Sequence, residues 1–263
     1  MSSLRVAVAG KGGAGKTTLS STLARLFARE GRQVIVVDGD SNPNVATALG
    51  IDRERAEAIQ PLPMGLVSRR LNAAAPGESR AALKEPVMDV VTRYGGMAPD
   101  NVHVLKMAMP EHADEGCLCS AHATVSALLA DIDELDNTVS ILDLEASPEH
   151  LSRGTTRHVD ALLLVVEPYY RSFETARRMA ALAGELPIGR VGVVANKLRS
   201  PEDASAIAEY CERHNLVLEG ELPWSTEVLD ADRAEIPLIE YDPSGPVVAA
   251  VAKLADKLGA AKS

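Results

Sequence analysis

Aromatic side chains are scarce in this chain: two Phe, five Tyr and one Trp make up 3% of 263 residues. A core must therefore be built from Ala, Val and Leu, and hydrophobic residues, at 46%, are plentiful enough to build one. No apolar run approaches the roughly 20 residues of a membrane span, so stable membrane association is not expected. The opening MSSLRVAVAG has too short an apolar run for a signal peptide, and the expected compartment is the cytoplasm. Basic charge is in deficit: 27 Lys and Arg against 37 Asp and Glu give a net charge of −10. That balance favours solubility and argues against nucleic acid as a partner. Cysteine is rare, with three in all. Three thiols in a reducing compartment make no disulfide framework, and a close pair there reads as a metal or redox site.

What the chain does have is a rhythm of short apolar runs and helical stripes. Leu4–Ala9, Val34–Val37, Val102–Leu105, Val139–Leu144, Ala161–Val166, Val191–Ala195 and Leu216–Leu222 read as buried strands. Leu19, Leu23, Leu26 and Phe27 form a helical stripe within Thr17–Glu30, with Gly31 as its C-terminal cap. Ser200 and Pro201 open another helix. This alternation predicts a single-domain α/β fold over residues 1–263, with a mostly parallel sheet covered by helices on both faces. Ligands then bind at the carboxyl ends of the strands. Residues 52–100 break the rhythm with five prolines and the pair Arg69-Arg70. They read as an irregular insertion of surface helices and loops, either a docking face or a solvated excursion.

Between the first strand and the first helix lies Gly10-Lys11-Gly12-Gly13-Ala14-Gly15-Lys16-Thr17, which matches the phosphate-loop pattern G-x-x-x-x-G-K-[ST] in its expected context. Glycines let backbone N–H groups converge on phosphate oxygens, and the helix N-terminus adds its dipole. Lys16 is placed to bridge β- and γ-phosphates and Thr17 to bind Mg²⁺, with Thr18 following in the same helix turn. A phosphate loop has no need of a lysine at position 11. In this the sequence resembles the deviant Walker A family, which includes the nitrogenase iron protein, MinD/ParA ATPases and arsenite-pump ATPases. The resemblance implies that Lys11 reaches across a dimer interface to the partner's nucleotide, and so implies a nucleotide-dependent homodimer.

The same resemblance assigns Asp38-Gly39-Asp40 at the end of the second strand: Asp40 to orient or deprotonate the attacking water, Asp38 to support Mg²⁺. Asp143, ending TVSILD, resembles the Walker B aspartate that holds a Mg²⁺-bound water. A carboxylate at a buried strand end needs a partner cation. Asn196-Lys197 resembles the base-recognition pair. GTPases of N-K-x-D type place an acceptor two residues further on, but this chain has Arg199, which has none, so ATP is expected.

Cys117-Leu118-Cys119 precedes a helical pattern over Ala121–Leu135, with Ser120 as a candidate cap. A helix N-terminus favours thiolate, and thiolates bind Ni²⁺ or Zn²⁺. One chain offers two thiols where such a site needs four ligands. A two-fold dimer would supply all four, so that the motif is half a metal site. Three other arrangements stay open: a ligand from His112 or His122 within one chain, a metal-free redox pair, and an iron–sulfur cluster shared by two chains. Cys211 shares a helical face with Ile207, Tyr210 and His214 and reads as core.

GKGGAGKTT, DGDSNPN, GCLC, LDLEASPEHLSRGT, VVEPYYRSFETA and NKL occur in that order over nearly the whole chain. Together they resemble the CooC-type ATPases, nickel-insertion accessory proteins of carbon monoxide dehydrogenase. The family commonly has Met-Gly-Lys before its C-x-C, where this chain reads Met107-Ala108-Met109. The resemblance implies an ATP-hydrolysing dimer that binds one metal ion through paired C-x-C motifs and serves carbon monoxide dehydrogenase or a related nickel enzyme. Two other classes are an iron–sulfur reductase of nitrogenase iron protein type and a MinD/ParA-like positioning ATPase. The C-terminal PVVAAVAKLADKLGAAKS is amphipathic but lacks bulky aromatics, and reads as a docking helix of the fold.

Overall fold

The computed structural model describes residues 2–71, 79–108, 119–145, 151 and 155–260. Strand β1 (Leu4–Gly10) enters the loop before α1 (Lys16–Arg29), and β2 (Gln33–Gly39) follows. Short helices α2 (Val45–Ala48) and α3 (Arg53–Ala58) lead to a hairpin of β3 (Val67–Leu71) and β4 (Ser79–Leu83). Next come α4 (Val87–Tyr94), β5 (Gly96–Ala98), β6 (Val102–Lys106) and α5 (Cys119–Ile132). The second half alternates through β7 (Thr138–Leu144), β8 (Ala161–Val166), α6 (Tyr170–Ala183), β9 (Arg190–Leu198), α7 (Pro201–Arg213) and β10 (Val217–Pro223). Helices α8 (Thr226–Arg233), α9 (Leu238–Tyr241) and α10 (Pro246–Ala260) close the chain.

Among the described residues, eight strands make one sheet in the order β10-β9-β8-β1-β7-β2-β6-β5. All neighbours pair in parallel except β5, which joins the edge antiparallel to β6. From β1 the chain moves to β2 and β6 on one side, then returns through β7 to β8, β9 and β10 on the other. That reversal beside β1 is a topological switch point, where open α/β sheets bind ligands.

Strands β1, β2, β7 and β8 are buried on both faces, which is why they are near-continuous apolar runs rather than alternating; β10 (VLEGELP), expected as a buried strand, lies at the sheet edge and is only partly buried. Val6 and Val8 of β1, with Val34 and Val36 of β2, face α1 and α10 through Leu19, Leu23, Phe27, Val251 and Leu254. Their neighbours Ala7, Ala9, Ile35 and Val37 face the layer of α4, α5, α6 and α7. Cys211 is buried there with Ile207, as the helical pattern predicts. Gly31 ends α1 at φ 83, with Gly31 N–H on Ala28 O and Arg32 N–H on Phe27 O, the left-handed cap that glycine favours. Ser200 caps α7 by accepting from the Asp203 N–H, and Pro201 sits in its first turn.

Residues 52–100 hold more regular structure than loops and surface helices. Val87, Val90 and Val91 bury one side of α4, and β5 extends the sheet. Ala82 and Leu83 of the hairpin are buried, and Leu83 N–H donates to Asp131 Oδ2 of α5 at 2.8 Å. The other hairpin strand, VSRRL, is partly or fully exposed at every position, so it carries no apolar alternation to read.

Candidate functional site

The phosphate loop leaves the sheet where β1 ends. Gly10 takes φ 147, and a Cβ there would strike the Val165 carbonyl of β8. Gly15 takes φ 96 at the start of α1, and a Cβ there would strike the Asn196 amide. These two positions need glycine for both conformation and space. Gly12 and Gly13 are exposed, Gly13 at φ 78, while Ala14 is buried and its N–H bonds to Lys11 O at 3.1 Å. Lys16 is buried, with Nζ 3.4 Å from Lys11 O. The loop and the free N–H groups of the first α1 turn form a concave site for anions.

Two buried carboxylates lie beside it. Asp38 and Asp143 are direct register partners at the carboxyl ends of β2 and β7. Asp143 accepts from Thr17 Oγ1 at 2.8 Å and from Ser20 Oγ at 2.9 Å. Asp38 accepts from the N–H groups of Val45 at 2.9 Å and Asp40 at 3.2 Å. Burial, with the Asp143 charge as a smaller contribution, pushes the Asp38 carboxyl up to about 7. Burial pushes Asp143 up to about 6, against the hydrogen bonds of Thr17 and Ser20 and the nearby charge of Lys16. Hard oxygen donors, a hydroxyl and two carboxylates, suit Mg²⁺, whose charge would offset their desolvation. Asp40 is half-buried and accepts from the Asn42 N–H at 2.9 Å. Ser41 Oγ donates to Glu145 Oε1 at 3.2 Å, tying the segment after β2 to the one after β7. An open groove of about 1190 Å³ runs from Thr17 and Thr18 between the segments 42–53 and 228–238.

The loop is braced from β9. Asn196 Nδ2 donates to Ala14 O at 2.7 Å, and its Oδ1 accepts from the Lys197 N–H at 2.9 Å. Lys197 takes φ 60, a left-handed conformation unusual for lysine, and donates to Gly13 O at 2.6 Å and Glu167 Oε1 at 2.8 Å. Arg199 lies over Trp224, 4.3 Å from its ring centre. It presents donors only, as the sequence predicts. On the outer side Lys11 Nζ donates to Tyr169 Oη at 3.1 Å and sits 4.9 Å from that ring's centre.

The structure thus brings Gly10, Gly12, Gly13, Ala14, Gly15, Lys16, Thr17, Asp38, Asp143, Asn196 and Lys197 around one loop. Ser20, Glu167 and Tyr169 join them without a signal strong enough to single them out. The one signal that could have found Ser20 is its place one helical turn beyond Thr17.

Cys117 lies outside the described residues, as does His112. Cys119 is exposed at the start of α5 and is in its oxidised, disulfide form, where the sequence reading has thiolates. Ser120 lies inside the helix rather than capping it. His122 is buried and faces inward, its Nδ1 2.6 Å from Thr155 Oγ1. That contact joins the turn after Cys119 to the turn Thr155–His158 that precedes β8. Among the described residues no three His, Cys, Asp or Glu side chains group as a metal site. No helix among them is long and apolar enough to cross a membrane.

A parallel sheet with a glycine-rich loop at its switch point, a lysine and a threonine opening the next helix, and paired buried aspartates defines a phosphate-loop nucleotide-binding ATPase. The chain belongs to the CobQ/CobB/MinD/ParA nucleotide binding domain family, whose pattern it matches over residues 6–238. It is 34% identical over 243 residues to the carbon monoxide dehydrogenase accessory protein CooC of Rhodospirillum rubrum, spanning 92% of this chain and 91% of that one. It is 37% identical over 233 residues to an uncharacterised ATP-binding protein of Methanocaldococcus jannaschii, spanning 87% and 88%. Its fold is similar to that of the septum site-determining protein MinD of Pyrococcus horikoshii, solved with Mg-ADP: the TM-score is 0.71 at 18% identity, over 99% of both chains. A ParA family ATPase from Chlorobium tepidum gives 0.70 at 14% identity, over 97% of this chain and 98% of the other. The deviant Walker A resemblance and the mostly parallel α/β fold expected from the sequence are both found.

Proposed function

We propose that this ATPase works as a nucleotide-dependent homodimer that binds one nickel or zinc ion through Cys117 and Cys119 of two chains, and supports nickel insertion into carbon monoxide dehydrogenase or a related nickel enzyme. The observation that carries the reading is the likeness to CooC over 92% of the chain. The order of motifs supports it, with a C-x-C pair whose second cysteine opens α5. The metal is cargo and needs both cysteines as thiolates, so loading requires reducing conditions.

In this reading Lys16 holds β- and γ-phosphates, and backbone N–H groups from Gly12 to Thr18 receive the phosphate oxygens. Thr17, with Asp143 and Asp38 behind it, holds Mg²⁺, which supplies charge neutralisation at the phosphates. Asp40 orients the attacking water or takes its proton. Lys11 of each chain reaches the nucleotide of the other. Asn196 and Lys197 shape the base side of the loop. The segments after β2 and β7, tied by Ser41 and Glu145, relax when the γ-phosphate leaves. Lys16→Ala should reduce phosphate release from ATP to background.

The test is client activation. A nickel enzyme is co-expressed with the wild-type chain, with Lys16→Ala or with Cys117→Ser/Cys119→Ser, under limiting nickel. Nickel content and activity of the client should rise with the wild type alone. Equal activation by the serine variant would overturn the metal role.

A further inference from the structure

The hydrogen bonds around Lys11 close into a ring that begins and ends in the phosphate loop. Gly13 O accepts from Lys197 Nζ at 2.6 Å, and Lys197 Nζ also meets Glu167 Oε1 at 2.8 Å. Glu167 Oε2 accepts from Tyr169 Oη at 2.7 Å, and Tyr169 Oη accepts from Lys11 Nζ at 3.1 Å. Each oxygen of the Glu167 carboxylate is thus committed to a different arm, one fixing the loop and one fixing the tyrosine. Tyr169 and Tyr170 are also exposed, at 38% and 71%, in a chain with only eight aromatic residues.

We propose that Tyr169 is a parking residue for Lys11: it holds the lysine against its own chain until a second, nucleotide-loaded copy draws it away. The inference rests on the role of Lys11 across the dimer proposed above. A lysine side chain in water samples many rotamers. Here it is held at two points of one residue, the phenol oxygen and the ring face. The pose commits only one of the three ammonium donors, but it also fixes the amine at the Tyr169 ring, and in this proposal Lys11 must leave that position to reach phosphates on another chain. Phosphate oxygens are stronger acceptors for ammonium than a phenol. Binding of the partner's nucleotide therefore competes with the parked pose and wins when that nucleotide is present. Because the parked fraction is unable to dimerise, it lowers the apparent affinity of the two chains, and in a two-fold dimer it does so twice.

Glu167 makes the device sensitive to the loop itself. It orients Tyr169 while gripping Lys197, which holds Gly13. A phosphate that moves Gly13 or draws Lys197 would loosen the grip on Tyr169 from within the same chain. Nucleotide in a chain's own loop thereby prepares its Lys11 for release.

The experiment compares wild type, Tyr169→Phe and Tyr169→Leu as full chains. Sedimentation velocity with Mg²⁺ and a non-hydrolysable ATP analogue reads dimer formation. In parallel, ¹³C reductive methylation gives each lysine an NMR signal, with Lys11 assigned from Lys11→Arg. In the nucleotide-free wild type the Lys11 signal should carry a ring-current shift, reduced in Tyr169→Phe and absent in Tyr169→Leu. Both variants should dimerise at roughly tenfold lower protein concentration than wild type. Wild-type dimerisation with weaker dimers in the tyrosine variants would overturn parking, since Tyr169 would then be presenting Lys11 to the partner. An unshifted Lys11 signal in the wild type would overturn it directly. Failure of the wild type to dimerise with the analogue would instead overturn the homodimer reading.

Discussion

At the scale of single residues, the site is governed by charges held where water is scarce. Asp38 and Asp143 face each other across β2 and β7, with carboxyls raised to about 7 and about 6 by burial. A raised folded-state value means that folding favours the protonated form. Their unfavourable contribution is therefore absent below the ordinary carboxyl range at about pH 4, grows as pH rises from there, and is complete once pH passes the folded values of about 6 and about 7. Without Mg²⁺ and nucleotide, thermal melts of the chain should show stability falling between about pH 4 and pH 7 and levelling above that. Asp143→Asn should flatten that fall; an unchanged slope would mean that Asp143 is not the source. Asn196→Ala removes the amide that holds the buried Ala14 carbonyl and should destabilise the chain by about 1–3 kcal/mol in denaturant unfolding. Lys16, Thr17 and Asp143 were legible because a short motif names them. Asn196 was legible through its Asn-Lys motif, but its hold on the Ala14 carbonyl across 182 residues was not, and Ser20 takes its meaning from one contact, with Asp143 across 123 residues.

At the scale of elements, strands β1, β2, β7 and β8 were legible because a strand buried on both faces is a continuous apolar run, and β6, β9 and β10 through shorter apolar stretches within them. The hairpin β3–β4 was not, since VSRRL is solvated and its register depends on α5, which carries Asp131. Long-range pairs were equally hidden. Lys11 meets Tyr169 across 158 residues and His122 meets Thr155 across 33. The latter contact links the helix that begins at Cys119 to the turn before β8. Thr155→Val keeps the shape but takes away the hydroxyl partner of His122 Nδ1, and should lower stability by about 1–3 kcal/mol. If that contact carries nucleotide state to the cysteines, the same variant should also shrink the change in metal affinity that an ATP analogue produces. Full retention of that change in isothermal titration would remove the contact from the coupling.

At the scale of the whole molecule, one sheet positions the nucleotide site and its surroundings. Its switch point holds the phosphate loop, β2 and β7 deliver the two aspartates, and β8 and β9 deliver the ring around Lys11. The fold follows from the alternation of apolar runs and helical stripes. The proposed second chain does not follow from it, because a dimer would be written in surface residues such as Lys11 and Cys119 rather than in the apolar runs that build the sheet. Linkage requires that if ATP tightens metal binding, metal tightens ATP binding by the same factor. The measurement that tests this account most directly is native mass spectrometry of the anaerobic, reduced chain with an ATP analogue and Ni²⁺ or Zn²⁺. The account predicts a dimer carrying one metal ion, which is absent in Cys117→Ser/Cys119→Ser. A dimer with no metal, or one metal ion on each monomer, would contradict it.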